Sequence, residues 1–260
     1  GLNRLEAEKT WKSLSKKNVW ITGFTPQDQM VKLLNYLEKC EKNKIGLIGV
    51  ENNYGKMILE LVKKNLKKIT LTEYILLDES LISDTKYLNE IAKKFLNYEK
   101  TDDLNDKINS KYDSMFVIGN TNFVLELMPI LTYYDLDLTH TDILGTSILN
   151  DKLLINEHSL INAKFPMVRQ NQQNEFEKKW KSLWPSRPNE LSRLGYDLSK
   201  ISMWVVNQND SFITLIKQNK NKFSILGNKF IFYEDGSVFR PSDLFKIKSL
   251  GKIKKINSCK

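Results

Sequence analysis

The sequence of 260 residues has few of the residues that build catalytic and metal centres. It has two cysteines, Cys40 and Cys259, and two histidines, His140 and His158, without a CxxC pair or the spacing of a zinc site. No GxxxxGK[ST] loop, no GxSxG elbow and no complete dinucleotide fingerprint occurs. We therefore expect no catalytic residues, no metal and no cofactor, and a protein that is not an enzyme. The pattern neither requires nor excludes a disulfide.

Long hydrophobic runs and targeting signals are missing as well. No segment approaches the roughly 18 consecutive apolar residues of a membrane span. The opening Gly-Leu-Asn-Arg has no initiator methionine and no signal-peptide core. We interpret the chain as a fragment or a trimmed form. At 41% hydrophobic residues it can still bury a substantial core.

Arginine is scarce although the formal net charge is +9, because arginine stands only at positions 4, 169, 187, 193 and 240. Proteins that read nucleic acids favour arginine, whose planar guanidinium pairs with phosphate and guanine. The many lysines are therefore interpreted as solvated helix surfaces. A nucleic acid is not the expected partner, and binding of nucleic acid or another anionic polymer is kept as the last alternative.

Strand patterns and helix patterns alternate over residues 19–146, beginning with a strand at 19–22, and they include a helix that Asp84 could cap and a polar insert at 99–111. Apolar runs at 45–50 and 115–119 are typical of strands buried on both faces, and the segments between them repeat apolar residues at helical spacing. This alternation predicts a doubly wound parallel sheet with right-handed crossovers. Beyond it, the pattern predicts two helices, a hairpin over 229–239 and one edge strand over 245–256.

Polar residues follow three of the predicted strands. Ligands of open α/β sheets bind beyond the carboxyl ends of the strands, so these residues are candidates for a ligand site. The alternative is that they only cap the helices that follow. The candidates are Asn52, Asn53, Tyr54, Asn120, Thr121, Asn122, Thr146 and Ser147.

Five segments resemble the type 1 periplasmic binding fold and, within it, the penicillin-binding protein activator family of LppC-type lipoproteins, whose members are often described as similar to branched-chain amino-acid-binding proteins. The similarity lies in the order and spacing of these segments across residues 19–240. They are Gly23–Gln29, Asn52–Gly55, Leu144–Thr146, Gly195–Asp197 and Glu234–Arg240.

The resemblance implies an α/β fold with two doubly wound parallel-sheet lobes, joined by a hinge that the chain crosses several times. Residues 1–23 would end the first lobe and 24–164 would form the second. Residues 165–226 would return to the first lobe as helices, and 227–260 would form a hairpin and a strand that crosses back. Because such proteins begin with a βαβαβ block, we expect the first lobe to be incomplete.

The resemblance also implies a non-enzymatic function. It favours a periplasmic module that regulates peptidoglycan synthesis by docking onto a peptidoglycan synthase, with a lipid anchor to the outer membrane on an upstream segment. The first alternative is a solute-binding receptor of an ABC transporter with a small polar or anionic ligand. Amino-acid-binding relatives place a glutamate where this chain has Ser147, and a hydroxyl cannot replace that carboxylate against an ammonium group. We therefore expect no high-affinity binding of free α-amino acids.

Overall fold

A computed structural model describes residues 20–98, 111–169, 175–186, 188–208, 210–218, 222–225, 228–233, 236, 238–257 and 259. Contacts divide the chain into two compact units. Unit 1 comprises the described parts of Gly1–Thr25 and Val168–Ser242, and unit 2 those of Pro26–Met167 and Asp243–Lys260. The chain therefore passes between the units after Thr25, after Met167 and after Ser242.

Unit 2 alternates strands and helices along most of its length. Its helices are α1 (Pro26–Lys39), α2 (Asn53–Asn65), α3 (Thr85–Leu96), α4 (Thr121–Tyr133) and the short α5 (Lys152–Ile155). Its strands are β1 (Lys44–Val50), β2 (Thr70–Leu77), β3 (Ser114–Ile118), β4 (Asp142–Leu144), β5 (Lys164–Val168), β9 (Ser242–Ser249) and β10 (Lys252–Ile256). Short 3-10 turns lie at Glu79–Leu81, Ser147–Asn150 and His158–Leu160.

These strands form one seven-stranded sheet in the order β10-β9-β5-β4-β3-β1-β2. Strands β1 to β5 run parallel, and β10 pairs antiparallel with β9. Strand β1 lies between β3 and the edge strand β2. The predicted α/β class with a parallel sheet is confirmed.

Both faces of the inner strands β1 and β3 are buried, because side chains alternate between the faces and helices cover each of them. Ile45 and Leu47 of β1 pack in a cluster with α1 and α2, whereas Ile48 and Val50 pack with α3 and α4. This two-sided burial explains why the strands read as continuous apolar runs. Helix α3 begins where the sequence predicts, since the Asp84 carboxylate accepts hydrogen bonds from two backbone N–H groups of its first turn.

Unit 1 differs in architecture. Among the described residues it contains α6 (Glu175–Leu183), α7 (Glu190–Val206) and α8 (Phe212–Gln218) beside an antiparallel sheet of β6 (Lys222–Ile225), β7 (Asn228–Phe232) and β8 (Val238–Phe239). The predicted hairpin is confirmed as β7 and β8. Among its described residues, the buried side chains of Ile201, Phe230, Phe232 and Val238 form a hydrophobic cluster.

Several elements depart from the sequence-based expectations. Strands β5 and β6 were not predicted, and the single strand expected over 245–256 is two strands joined by a turn at Gly251, whose φ of 70° suits glycine. Of the strand expected at 19–22, Ile21 pairs with Gly236 through one backbone hydrogen bond, and Val19 lies outside the described residues. The polar insert predicted at 99–111 lies almost wholly outside them too.

No helix among the described residues is both long enough and apolar enough to cross a lipid bilayer.

Candidate functional site

The carboxyl ends of β1, β3 and β4 lie side by side, because these strands are neighbours in the sheet and run parallel. We call the edge where they end the carboxyl edge, and the edge where they begin the amino edge. Helices α2 and α4 leave β1 and β3 for opposite faces of the sheet. A crevice opens at such a switch point, and it is where open α/β sheets bind ligands.

The loop after β1 is held by helix capping. The Asn52 side chain accepts a hydrogen bond from the Gly55 backbone N–H at 3.0 Å, and its amide nitrogen donates to Glu79 at 3.3 Å. A Cβ atom on Gly55 would lie 2.0 Å from the Val50 carbonyl oxygen, so only glycine lets α2 start this close to β1. Tyr54 is half-buried against the α1–α2 side of the core. The loop is therefore rigidly placed.

The loop after β3 is built in the same way. The Asn120 side chain accepts a hydrogen bond from the Phe123 backbone N–H at 2.9 Å. Thr121 is half-buried, whereas Asn122 is exposed, as is Asn53 in the first loop. The capping role that sequence reasoning kept as an alternative is confirmed for Asn52 and Asn120. Their side-chain oxygens are bonded to backbone N–H groups, while the other amide and hydroxyl groups remain candidates for ligand contact.

The loop after β4 carries Thr146 and Ser147. Thr146 is buried and stands at the N-cap of a 3-10 turn, without a side-chain capping bond. The Ser147 backbone N–H donates to the Gln29 side-chain oxygen at 2.7 Å, which ties this loop to α1. Sequence reasoning did not select Gln29, which contacts this loop. The sequence contains a signal for this contact, because the polar Gln29 precedes Leu33 by four residues and therefore lies on the same buried face of α1.

Acidic groups lie at the carboxyl edge after β1 and β2. Glu51 pairs with Lys56 at 3.1 Å, and Glu79 accepts from Asn52. Hydrogen bonds from Ser80 hold the pKa of Asp78 below its usual value. The first turns of α2 and α4 contain no acidic residue, so the positive ends of two helix dipoles face this edge. Within the described ranges, no group of three His, Cys, Asp or Glu residues could hold a metal ion.

The amino edge of the same sheet has a different chemistry. Asp142 accepts hydrogen bonds from the Tyr36 hydroxyl at 3.1 Å and the Lys164 ammonium at 2.7 Å. The Lys164 side chain is only 10% exposed, and this burial lowers its pKa although Asp142 acts in the opposite direction. Burial, with Asp142 beside it, raises the pKa of Tyr36 far above its usual value. This network holds α1, β4 and β5 together.

A disulfide joins Cys40, at the end of α1, to Cys259, after β10. The sequence separation of 219 residues left this pairing open in the sequence analysis. The β9–β10 hairpin brings the chain end beside α1, since the Lys39 ammonium also donates to the Asn257 carbonyl oxygen at 3.4 Å.

Comparisons with known proteins agree with the class of fold that the strand order defines. Type 1 periplasmic-binding-protein-like structures match the chain, which confirms that part of the sequence-based prediction. No protein-family model and no curated protein matches the chain.

Three solved structures illustrate the similarity. An ABC transporter substrate-binding protein from Desulfitobacterium hafniense is 11% identical, with a TM-score of 0.66 over 89% of this chain and 66% of its own. A solute-binding protein from R. palustris in complex with benzoate is 15% identical, with a TM-score of 0.65 over 92% and 64%. A branched-chain amino acid transporter substrate-binding protein from Streptococcus pneumoniae in complex with isoleucine is 16% identical, with a TM-score of 0.63 over 93% and 68%. The chain thus spans about two thirds of the length of these structures.

Proposed function

We propose that the chain acts in solute binding, and that the carboxyl edge of unit 2 contacts a small ligand that carries a carboxylate but no ammonium group. The observation that supports this most is the switch point between β1 and β3, where α2 and α4 start next to each other with Tyr54, Thr121 and Asn122 in their first turns. Two helix N-termini at one switch point favour an anionic group.

Ser147 is the reason for proposing a ligand without an ammonium group. Its hydroxyl stands where the resemblance places a glutamate, and a neutral hydroxyl gives no charge-assisted bond to an ammonium group. The ligands named for two of the similar structures, benzoate and isoleucine, both contain a carboxylate, and benzoate has no ammonium group. A benzoate-like carboxylate is therefore the ligand class that we propose.

The similar structures support solute binding better than the activator function that the sequence analysis put first. Those cited here are named as substrate-binding or solute-binding proteins, and none is named as a peptidoglycan synthase partner. The described contacts contain no observation that favours such a partner or an outer-membrane anchor. The alternative of the sequence analysis thus becomes the leading proposal.

The disulfide indicates that the protein functions in an oxidising compartment. Disulfides persist in oxidising environments such as the periplasm and the cell exterior and are rare in the cytosol. The Cys40–Cys259 bond therefore agrees with the periplasmic or extracellular setting of a solute-binding protein. We propose that setting for this chain.

Calorimetric titration of the chain with benzoate, substituted benzoates, leucine and isoleucine tests the proposal. We expect saturable binding of at least one aromatic carboxylate, and thermal unfolding shifted upward by several degrees at a hundredfold excess over Kd. Micromolar binding of leucine or isoleucine with no binding of any aromatic carboxylate would show that the ligand class is wrong.

A charge variant locates the binding. Asn122→Asp adds a negative charge at the exposed start of α4. The new charge interacts favourably with the helix dipole but repels a bound carboxylate. We expect it to weaken binding at least fivefold without loss of stability. Asn43→Asp adds the same charge at an exposed position before β1, on the amino edge, and serves as the control. Equal effects of the two variants would place the ligand elsewhere.

A further inference from the structure

Strand β2 is the outermost strand on one side of the seven-stranded sheet. No strand in the described parts of the chain pairs with its outer side. It is eight residues long and contains neither proline nor lysine, two of the features that usually protect edge strands from pairing. Its only charged residue, Glu73, is held by the Lys111 ammonium and the Tyr112 hydroxyl. A bulge at Thr72, where the register against β1 shifts, leaves Glu73–Leu77 as the regular stretch.

The backbone groups that face outward along this stretch can be assigned. The Leu77 carbonyl oxygen accepts a hydrogen bond from the Glu51 backbone N–H, so Leu77 directs its backbone groups toward β1. Backbone direction alternates along a strand. Tyr74 and Leu76 therefore direct their N–H and C=O groups away from the sheet, where an added strand would pair with them.

A groove of about 630 Å³ runs beside this edge. Its walls are made by the end of α2, the connection to β2 and the first part of β2. The lining residues are Lys63, Leu66, Ile69, Thr70, Leu71, Thr72, Glu73 and Tyr74. Tyr74 is 47% exposed, and the Lys63 ammonium lies 3.9 Å from the centre of its ring. The groove thus offers an aromatic surface with a cation beside it.

The charges around the groove are mostly positive. Lys63, Lys64, Lys67 and Lys68 are exposed at the end of α2 and in the connection to β2. The Lys67 ammonium lies 3.5 Å from a carboxylate oxygen of Glu38. Antiparallel pairing of β2 with β2 of a second copy, centred on Tyr74 or Ile75, would bring the Lys63 ammonium groups of the two copies near each other, which is unfavourable. An acidic partner would instead be attracted.

We propose that the outer edge of β2 binds an extended peptide segment of another protein by strand addition, and that this segment carries acidic side chains on the face toward α2. The N–H and C=O groups of Tyr74 and Leu76 provide the backbone hydrogen bonds. The groove beside Tyr74 accepts alternate side chains of the peptide, and Lys63 pairs with an acidic one. This surface is separate from the solute site at the carboxyl edge.

Fluorescence anisotropy with synthetic peptides tests this interaction. The probe is a labelled eight-residue peptide of alternating glutamate and valine, and the controls replace glutamate by lysine or methylate alternate backbone nitrogens. We expect saturable binding of the probe and at least tenfold weaker binding of both controls, because one loses the charge match and the other the strand pairing. No saturable binding below 1 mM, or equal binding of the methylated peptide, would overturn the proposal.

Variants of the chain locate the contact. Lys63→Glu is expected to weaken binding of the probe at least fivefold, while Lys94→Glu, in the corresponding last turn of α3, leaves it unchanged. Tyr74→Pro removes an outward N–H and is expected to abolish binding, and the methylated peptide tests the same hydrogen bonds if that variant does not fold. Concentration-dependent dimerisation that Lys63→Glu strengthens would show pairing with a second copy and overturn the acidic-peptide proposal.

Discussion

The two edges of the unit 2 sheet use polar residues in opposite ways. At the amino edge, Tyr36, Asp142 and Lys164 are largely buried and bond to one another, and a disulfide closes the same region. At the carboxyl edge, Asn53 and Asn122 are exposed, and capping bonds hold the loops that carry them. Buried polar groups that satisfy one another support stability, whereas exposed polar groups on rigid loops can meet a ligand. The comparison predicts that amino-edge changes affect stability and carboxyl-edge changes affect binding.

The largest expected effect comes from the disulfide at the amino edge. Cys40→Ser opens a loop with a sequence separation of 219 residues, and we expect the free energy of unfolding to fall by about 3–4 kcal/mol. Urea denaturation measures this change. Cys259→Ser and the double variant should give the same value, because all three remove one bond. A loss below about 1 kcal/mol in each would contradict the stabilising role of the bond.

The buried network should give the next largest effect. Asp142→Ala leaves the buried Lys164 ammonium without its carboxylate and the Tyr36 hydroxyl without its acceptor. We expect a loss of about 2–3 kcal/mol in urea denaturation. The double variant Asp142→Leu/Lys164→Met removes both charges and should recover at least half of that loss. If the double variant is no more stable than the single one, the unpaired ammonium is not the cause.

A smaller loss of stability is expected from the helix cap at the carboxyl edge. Asn120→Ala removes the side-chain oxygen that accepts from the Phe123 N–H, which should cost about 1 kcal/mol in the same denaturation. Asn122→Ala, on the exposed start of the same helix, should change stability by less than about 0.5 kcal/mol. Equal losses would mean that the capping bond is not what holds this loop.

The smallest effect concerns the loop before β4 at the amino edge. Hydrogen bonds from Thr139, with His140 beside them, lower the pKa of Asp137 to about 2. Because the folded-state pKa is below the unfolded one, this stabilisation is complete above about pH 4 and is lost as the pH falls toward 2. Asp137→Asn should reduce the fall in the free energy of unfolding between about pH 4 and pH 2 by about 1 kcal/mol or less, since the loop is solvent-accessible. Asp135→Asn, in the same connection, is the control for loss of one negative charge.

Periodicity predicted most of unit 2 because its helices and strands are amphipathic or continuously apolar. Helices α1 to α4 and strands β1 to β4 follow from such patterns. Strand β5 was missed because Lys164 and Pro166 interrupt its short apolar run, although the lysine is paired with Asp142 and the strand is wholly buried. The turn at Gly251 was missed because alternation continues through β9 and β10.

The site could be predicted only in part. The rule that ligands bind beyond strand ends selected three loops that lie at one edge of the sheet, but it did not show which side chains in them act as helix caps. Gln29 and Glu79 contact these loops from elements distant in sequence, which local patterns do not reveal. The same holds for the Cys40–Cys259 pair, whose partners meet only after the β9–β10 hairpin has formed.

Chemical-shift mapping by NMR tests the central claim most directly. The isotope-labelled chain is titrated with benzoate or the tightest aromatic carboxylate found by calorimetry. In unit 2, we predict the largest backbone amide shifts at Asn52–Tyr54, Asn120–Asn122 and Ser147, with little change at Lys42 and Asp142. Shifts at saturation that are confined to the amino edge, or that leave all three carboxyl-edge loops unchanged, would contradict the account.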